Sequence, residues 1–125
     1  MLEEIKTASA PAAIGPYSQA VRTGGMIFVS GQLPIDPATG IFAGEDIESQ
    51  TRQSIENIQS VLAEAGLTLD HVVKTTVYLR DMNDFAAMND VYSRFFTGIC
   101  PARVAVEVSA LPKGAAVEID AIAAV

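Results

Sequence analysis

The spacing of apolar residues along the chain switches between a period of two and a helical period. Alternation of apolar and polar side chains, which is typical of β-strands, covers five segments. These predicted strands are YSQAVRT (17–23), MIFVSGQ (26–32), HVVKTTVYLR (71–80), ARVAVEVSA (102–110) and AVEIDAIAA (116–124). Gly24 and Gly25 form a tight-turn signal, so the first two strands are predicted to form a hairpin.

Two further segments have apolar residues at helical spacing. The first predicted helix lies between Asp46 and Ala65, with Asp46 as its N-cap and Gly66 as the residue that ends it. Its apolar stripe consists of Ile47, Thr51, Ile55, Ile58, Leu62 and Ala65. The second predicted helix is DFAAMNDVYSRFF (84–96), whose stripe consists of Phe85, Met88, Val91, Tyr92 and Phe95.

The predicted order of elements, ββαβαββ, describes one α+β domain over residues 1–125. Two amphipathic helices can cover only one face of such a sheet. Alternation assigns these residues to the other face: Phe28, Ser30, Tyr78, Arg103, Ala105, Glu107, Glu118, Asp120 and Ile122. Because this set is too apolar for a wet surface and too charged for a core, we expect an oligomer interface with polar pockets. A solvated sheet face with a few aromatic residues is the alternative.

Composition limits the classes of partner and compartment. Half of the 125 residues are hydrophobic and 18% are charged, which fits one folded domain. The formal net charge of −7 and the scattered basic residues argue against nucleic acid and anionic membranes as partners. The chain has no apolar run of membrane-spanning length, and MLEEIKTASA does not resemble a signal peptide, so we expect a cytoplasmic protein. The single Cys100 is compatible with a reducing compartment.

Arg103 is the first candidate for ligand chemistry. Its planar guanidinium suits a carboxylate, and such a pair is strong and directional at a partly buried site. A salt bridge to Glu107, Glu118 or Asp120, which alternation places on the same face, is an equal alternative.

Glu118 and Asp120 are the second candidate, because residues two apart on a strand lie side by side. Neighbouring carboxylates in a sparsely hydrated site can have a raised pKa, which suits general acid–base catalysis. Acidic residues on an exposed sheet edge are the commoner explanation of such a pair.

The remaining reactive residue types form no recognisable constellation. His71 has no second histidine or cysteine at metal-ligand spacing and is interpreted as structural, so no metal site is expected. Cys100 has no flanking positive charge and no CxxC partner, and the glycine turns fit no phosphate-binding loop. The residues alone therefore predict a small anionic ligand and leave the reaction open.

Six long, co-linear segments resemble the RidA branch of the Rid family, the enamine/imine deaminases. They are APAAIGPYSQAV (10–21), SGQLPIDPATG (30–40), QTRQSIENI (50–58), VVKTTVYLRDMNDFAAMNDVY (72–92), PARVAVEV (101–108) and LPKGAAVEIDAIA (111–123). The resemblance implies a chorismate-mutase-like fold with a mixed sheet, assembled as a homotrimer with active sites between subunits. It also implies hydrolysis of 2-imino and 2-enamino acids, such as 2-iminobutanoate and 2-iminopropanoate, to 2-oxo acids and ammonia without a metal or cofactor.

The resemblance also implies residue roles. Arg103 matches the arginine that grips the substrate carboxylate, and Glu118 matches the glutamate that positions or activates the attacking water. The other matched pocket residues are Tyr17, Ser30, Gly31 through its backbone, and Asn89.

One departure from the family pattern follows the arginine, where a small polar pair is usual and this chain has Val104 and Ala105. Alternation predicts that Val104 faces the helices and that Ala105 lines a roomier, less polar pocket.

Two rival functions remain at this point. A non-enzymatic module that binds small carboxylates, or a chaperone, would need Arg103 without Glu118. An endoribonuclease or translation inhibitor is disfavoured by the acidic charge.

Overall fold

A six-stranded mixed sheet with two helices on one face forms the whole domain in the computed structural model, which describes residues 1–125. The elements are β1 (Glu3–Ile5), β2 (Ala20–Thr23), β3 (Met26–Gln32), α1 (Ile47–Glu64), β4 (Val72–Leu79), α2 (Phe85–Phe95), β5 (Ala102–Glu107) and β6 (Val117–Ala124). The prediction missed β1, since a strand of three residues is too short to reveal alternation. With β1 added, the remaining elements follow the predicted order.

The strands lie in the order β1-β2-β3-β6-β4-β5. Every neighbouring pair is antiparallel except β4 and β5, which run parallel because α2 carries the chain back between them. The α+β prediction with a mixed sheet is therefore confirmed.

Helix α1 packs its predicted stripe against the sheet, and Ile55, Ile58 and Leu62 are fully buried. Asp46 caps it as predicted, since its Oδ2 accepts a hydrogen bond from Ser49 N at 2.9 Å. Gly66 follows the helix with a φ of +77°, a left-handed conformation that favours glycine.

Buried polar side chains of α1 also fix the neighbouring loops. Gln50 Oε1 accepts a hydrogen bond from Ala116 N at 2.8 Å, directly before β6. Asn57 Nδ2 donates to the carbonyl oxygens of Leu33 and Ile35, at 3.1 and 2.9 Å. The helix thereby holds the ends of β3 and β6, the two strands that carry Gly31 and Glu118.

The strand predicted over residues 17–23 begins three residues later, at Ala20 of β2, because the side chain of Gln19 bonds to the N-terminal segment. Its Nε2 donates to the carbonyl oxygens of Thr7, Ala10 and Pro11, at 3.0, 3.3 and 2.7 Å. Its Oε1 accepts from Thr7 N at 2.7 Å. This buried amide holds the N-terminal segment, so regular pairing begins only at β2.

The face predicted for β5 is wrong. Arg103 pairs with Thr75 and Ala105 with Val77, and both β4 residues are buried beneath the helices. Arg103 and Ala105 therefore lie on the helix side, together with Glu107. Val104, predicted to face the helices, is 42% exposed on the opposite face, and Val106 is 39% exposed there.

The physical reason is that alternation identifies residues that share a face but does not say which face is buried. Valines normally indicate the buried side, yet β5 is an edge strand and its valines lie on the face without helices.

Candidate functional site

Arg103 extends from β5 to the face of α2, where three side chains surround it. Its Nη1 donates a hydrogen bond to Asn89 Oδ1 at 2.8 Å. Its Cζ lies 4.8 Å from the centroid of the Tyr92 ring and 5.5 Å from that of Phe85, both within cation–π range. Phe85, Asn89 and Tyr92 are spaced i, i+4 and i+7, so they lie along one side of the helix.

No carboxylate pairs with Arg103, so the salt bridge considered from the sequence does not form within the chain. The only ion pair is Arg94–Asp90 at 2.6 Å, on the exposed surface of α2. Glu107, the acidic residue nearest along β5, instead accepts a hydrogen bond from Met82 N at 2.8 Å. Arg103 is half-buried and uses one N–H on a protein acceptor, which leaves its other donors for an anion.

The Tyr92 ring beneath Arg103 is itself fixed at both ends. Its hydroxyl lies 2.7 Å from Thr75 Oγ1, and its ring centroid lies 4.4 Å from that of Phe96. Burial raises the pKa of Tyr92, and the Thr75 hydrogen bond and the Arg103 charge only partly oppose that effect. The phenol therefore stays neutral and does not neutralise Arg103.

Glu118 lies on the open face, beside Tyr78 in the register of β4 and β6. Its carboxylate covers Gly31, and a Cβ at position 31 would collide with Glu118 Oε2. The close approach occurs where the β3–β6 register shifts between Val29 and Gln32. Glycine is therefore required at position 31 for the carboxylate to lie there.

Glu118 accepts no hydrogen bond from the protein, in contrast to its neighbour Asp120. Burial raises the pKa of Glu118, and the charge of Asp120 raises it further. A half-buried carboxyl without protein donors can exchange a proton with a water or ligand. The predicted carboxylate pair thus has one member available for acid–base chemistry.

Asp120 is occupied by the sheet. Its Oδ1 accepts from Thr76 N at 3.0 Å, and its Oδ2 accepts from Tyr78 Oη at 3.2 Å. Burial raises the pKa of Tyr78, and the charge of Asp120 adds to the effect. Asp120 therefore holds the β4 side of this face and acts on Glu118 through its charge.

The remaining predicted residues fall into separate places. Ser30 Oγ donates to Ser18 O at 2.6 Å, next to Gly31. Tyr17 is 53% exposed, and its hydroxyl accepts from Ile14 N at 3.4 Å at the edge of a cavity of about 640 Å³. Ala105 packs against the core on the helix side.

The structure therefore divides the predicted site between two faces of the sheet. Asn89 and Arg103 come together on the helix side, while Gly31 and Glu118 come together on the open face. The prediction that Arg103 shares a face with the two acidic residues is wrong for a single chain.

The sequence pattern does not predict the ring contacts or the role of Thr75. Helical spacing identifies Phe85 and Tyr92 only as members of an apolar stripe. The available signal was the polar Asn89 lying between two aromatic residues on one side of that helix.

Histidine and cysteine do not extend the site. Thr68 N donates to His71 Nδ1 at 3.2 Å, so this histidine caps the short turn that precedes β4. His, Cys, Asp and Glu side chains form no group of three or more that could hold a metal ion. Neither helix has the length and apolarity needed to cross a membrane.

Comparisons with known proteins agree over nearly the whole chain. A sequence model of the family described as Endoribonuclease L-PSP matches residues 7–125. A RutC family protein of Pyrococcus horikoshii is 57% identical over 123 residues, 98% of each chain. The 2-iminobutanoate/2-iminopropanoate deaminase of Salmonella typhimurium is 51% identical over 126 residues, also 98% of each chain.

A solved structure of a Rid family protein from Yersinia pestis matches the fold with a TM-score of 0.97 and 52% identity over 100% of both chains. The match of the fold and the sequence identity agree with the family model. The chain therefore belongs to the Endoribonuclease L-PSP family, among the Rid proteins that its sequence resembles.

Proposed function

We propose that this protein hydrolyses 2-imino and 2-enamino acids, such as 2-iminobutanoate and 2-iminopropanoate, to 2-oxo acids and ammonia. The observation that carries the proposal is Arg103, a half-buried cation placed by Asn89 and two rings with no carboxylate of its own. A small carboxylate is the ligand that such a guanidinium fits best. The name of the Salmonella relative supports the same substrate class.

We also propose that the active site is formed between subunits of a homotrimer. Arg103 and Glu118 lie on opposite faces of one sheet, so a second copy must bring its open face to the helix side of the first. The apolar residues of that face support this arrangement, since Phe28 is 42% exposed and Val104 and Val106 are similarly exposed. A cytoplasmic location remains a prediction.

In the proposed reaction, the guanidinium of Arg103 binds the substrate carboxylate and thereby fixes the adjacent C=N carbon. The ionised Glu118 of a neighbouring copy takes a proton from water as the oxygen adds to that carbon. With the substrate as the protonated imine, this addition gives a carbinolamine, and the protonated carboxyl returns its proton to the amine nitrogen. As the C–N bond breaks, the carbinolamine hydroxyl gives its proton to the Glu118 carboxylate and the C=O bond forms. The departing ammonia then takes this proton and leaves as ammonium. A carboxyl with a raised pKa is suited to both steps.

The other residues would shape the pocket. Gly31 leaves room for the Glu118 carboxylate and offers its backbone to the ligand, with Ser30 and Tyr17 nearby in the assembled site. Asn89 orients the guanidinium, and Ala105, two residues along the same face of β5, would add no polar group to the pocket. Because imine hydrolysis is intrinsically facile, orientation and water delivery suffice, without a metal or cofactor.

The rival functions make different demands on these groups. A non-enzymatic binder of small carboxylates needs Arg103 but not Glu118. The family description names an endoribonuclease, but the chain has 8 basic and 15 acidic residues, a charge balance that repels RNA.

The decisive experiment measures ammonia release from 2-iminobutanoate generated in situ by a threonine dehydratase. We expect the wild-type protein to accelerate release, and both Arg103→Ala and Glu118→Gln to lose most of the acceleration. Arg94→Ala is the matched control, since that arginine lies on exposed α2 and pairs only with Asp90.

No acceleration by the wild-type protein would refute the enzyme. Full activity in Glu118→Gln would refute only the role given to this residue. Light scattering tests the assembly, because a monomeric mass of the wild-type protein would contradict the trimer. Val106→Glu should dissociate the trimer, since it would bury a charge in the proposed interface.

A further inference from the structure

Thr75 and Tyr92 form a buried hydroxyl pair directly beside the guanidinium. Thr75 is 0% exposed and Tyr92 is 6% exposed, and their oxygens lie 2.7 Å apart. Thr75 is also the register partner of Arg103 in the parallel β4–β5 pair, so both side chains leave the sheet on the same face. The three residues therefore form one cluster that links two strands to α2.

The hydrogen bond between Thr75 and Tyr92 fixes the tyrosine ring relative to Arg103. Cation–π attraction requires the cation over the ring face within about 6 Å. The Cζ of Arg103 meets this condition over Tyr92 at 4.8 Å. The far end of that ring is tied to β4 through Thr75, so a change in this bond moves the surface on which the guanidinium rests.

This arrangement is not a routine consequence of burying a hydroxyl. Thr51 Oγ1 and Ser54 Oγ on α1 are also buried, and neither has a hydrogen-bond partner. The hydroxyl beside Arg103, in contrast, is paired at short distance.

We propose that Thr75 is a positioning residue for carboxylate binding, which it controls through Tyr92 and the guanidinium of Arg103. The inference deepens the proposed function and rests on it for the identity of the ligand. Asn89 orients one edge of the guanidinium, and the ring held by Thr75 sets its plane. The remaining N–H donors then point where a carboxylate can accept two of them.

The test uses Thr75→Val, which removes the hydroxyl at nearly constant volume. We expect the dissociation constant for 2-oxobutanoate, measured by calorimetry, to rise about three- to tenfold, the range of one net hydrogen bond. With imine substrate, KM should rise by the same factor while kcat changes little. Thr75→Ser should restore binding because it keeps the hydroxyl.

Thr51→Val is the matched control, since it makes the same exchange at a buried position where the hydroxyl has no partner. It should leave the dissociation constant unchanged. Tyr92→Phe offers a second route, because it keeps the ring and removes the other half of the bond. Its effect on affinity should resemble that of Thr75→Val. The double variant should bind about as weakly as either single variant, because both changes remove the same bond.

A coupling experiment separates positioning from general packing. In an Arg103→Lys background, which lacks the planar group, Thr75→Val should alter the dissociation constant less than about twofold. An undiminished effect in that background would overturn the proposal. So would a Thr75→Val protein that loses thermal stability yet binds 2-oxobutanoate as the wild type does.

The two hypotheses can fail separately. A wild-type protein that binds 2-oxobutanoate but does not accelerate ammonia release would refute the enzyme and leave the binding test of Thr75 intact. A wild-type protein that binds no 2-oxo acid would overturn the positioning role as well.

Discussion

The arginine region and the glutamate region of this molecule are built in opposite ways. Arg103 has an amide, two rings and a buried hydroxyl pair around it, so its position is determined by several contacts. Glu118 has no hydrogen bond from the protein and lies over a glycine. The guanidinium of Arg103 is therefore fixed by its neighbours, whereas the carboxylate of Glu118 has room and no protein hydrogen bonds.

The difference matches what each group would do in hydrolysis. A binding group gains from being fixed before the ligand arrives, because less conformational freedom is lost on binding. A group that exchanges protons with water needs free lone pairs and a pKa that the surroundings can adjust. Changes near Arg103 should therefore alter affinity, and changes near Glu118 should alter rate.

The largest expected effect is that of Arg103→Ala. Charge-assisted hydrogen bonds contribute about 1.5–3 kcal/mol each, so we expect kcat/KM to fall roughly 100- to 1,000-fold through KM. Steady-state kinetics on 2-iminobutanoate measure this, with Arg94→Ala as the control. The kcat/KM of Arg103→Lys should lie between those of the wild type and Arg103→Ala, since lysine keeps the charge without the planar guanidinium. A fall confined to kcat would contradict the binding role.

Gly31→Ala tests the space around Glu118. A methyl group at this position collides with the carboxylate and must displace it. Since misplacing a catalytic group can cost about 100-fold, we expect kcat to fall roughly 10- to 100-fold, with 2-oxobutanoate affinity changed less than about threefold.

The matched control for this variant is Gly25→Ala, because a Cβ at position 25 meets nothing within 4 Å. Unchanged kcat in Gly31→Ala would show that the observed position of Glu118 is not the working one.

Asn89→Ala tests the arginine region with a smaller change than Arg103→Ala. It removes the single hydrogen bond from Arg103 to a protein acceptor but leaves both rings in place. The dissociation constant for 2-oxobutanoate should rise about three- to tenfold. Asn83→Ala, at an exposed turn, is the control. Tighter binding in Asn89→Ala would mean that the amide competes with the ligand for the guanidinium.

The smallest effect concerns pH. Because burial and the charge of Asp120 raise the pKa of Glu118, activity that needs its carboxylate should fall with decreasing pH earlier than for an ordinary glutamate. Asp120→Asn removes the charge and should move this acid limb of kcat to lower pH by less than about one unit. A limb that moves upward in this variant would exclude Glu118 as the titrating base.

The same sign applies to stability. The ionised Glu118 opposes folding, so its protonation stabilises the native state, and that contribution is lost as pH rises through the raised pKa. Glu118→Gln should therefore raise the melting temperature slightly at neutral pH while kcat falls. Burial, the first cause of the shift, should preserve part of this effect in an Asp120→Asn background, and the Asp120 charge contributes the rest.

Both helices and five of the six strands could be predicted from sequence, because each repeats an apolar period long enough to identify. The N-cap Asp46 and the turn at Gly66 could be predicted for local reasons as well. These features depend on neighbours within a few residues. The short strand β1 depends instead on pairing with β2, and the sequence gives no sign of that partner.

The sequence predicts which residues belong to the candidate site, but not which face of the sheet each occupies or what it contacts. Alternation grouped Arg103 with Ala105 correctly, but the face they occupy is decided by α2 and by the register with β4. The Thr75–Tyr92 contact joins residues seventeen positions apart on different elements. The position of Glu118 over Gly31 depends on a register shift between β3 and β6 that periodicity does not reveal.

The place of β6 in the sheet has a consequence for how the molecule folds. This strand follows all the others in sequence, yet it lies between β3 and β4. The β4–α2–β5 unit that carries the arginine is contiguous, so its loop-closure entropy is small and it can form early. The glutamate arrives only when the last strand closes the centre of the sheet, and until then β3 and β4 each have an unpaired edge open to aggregation.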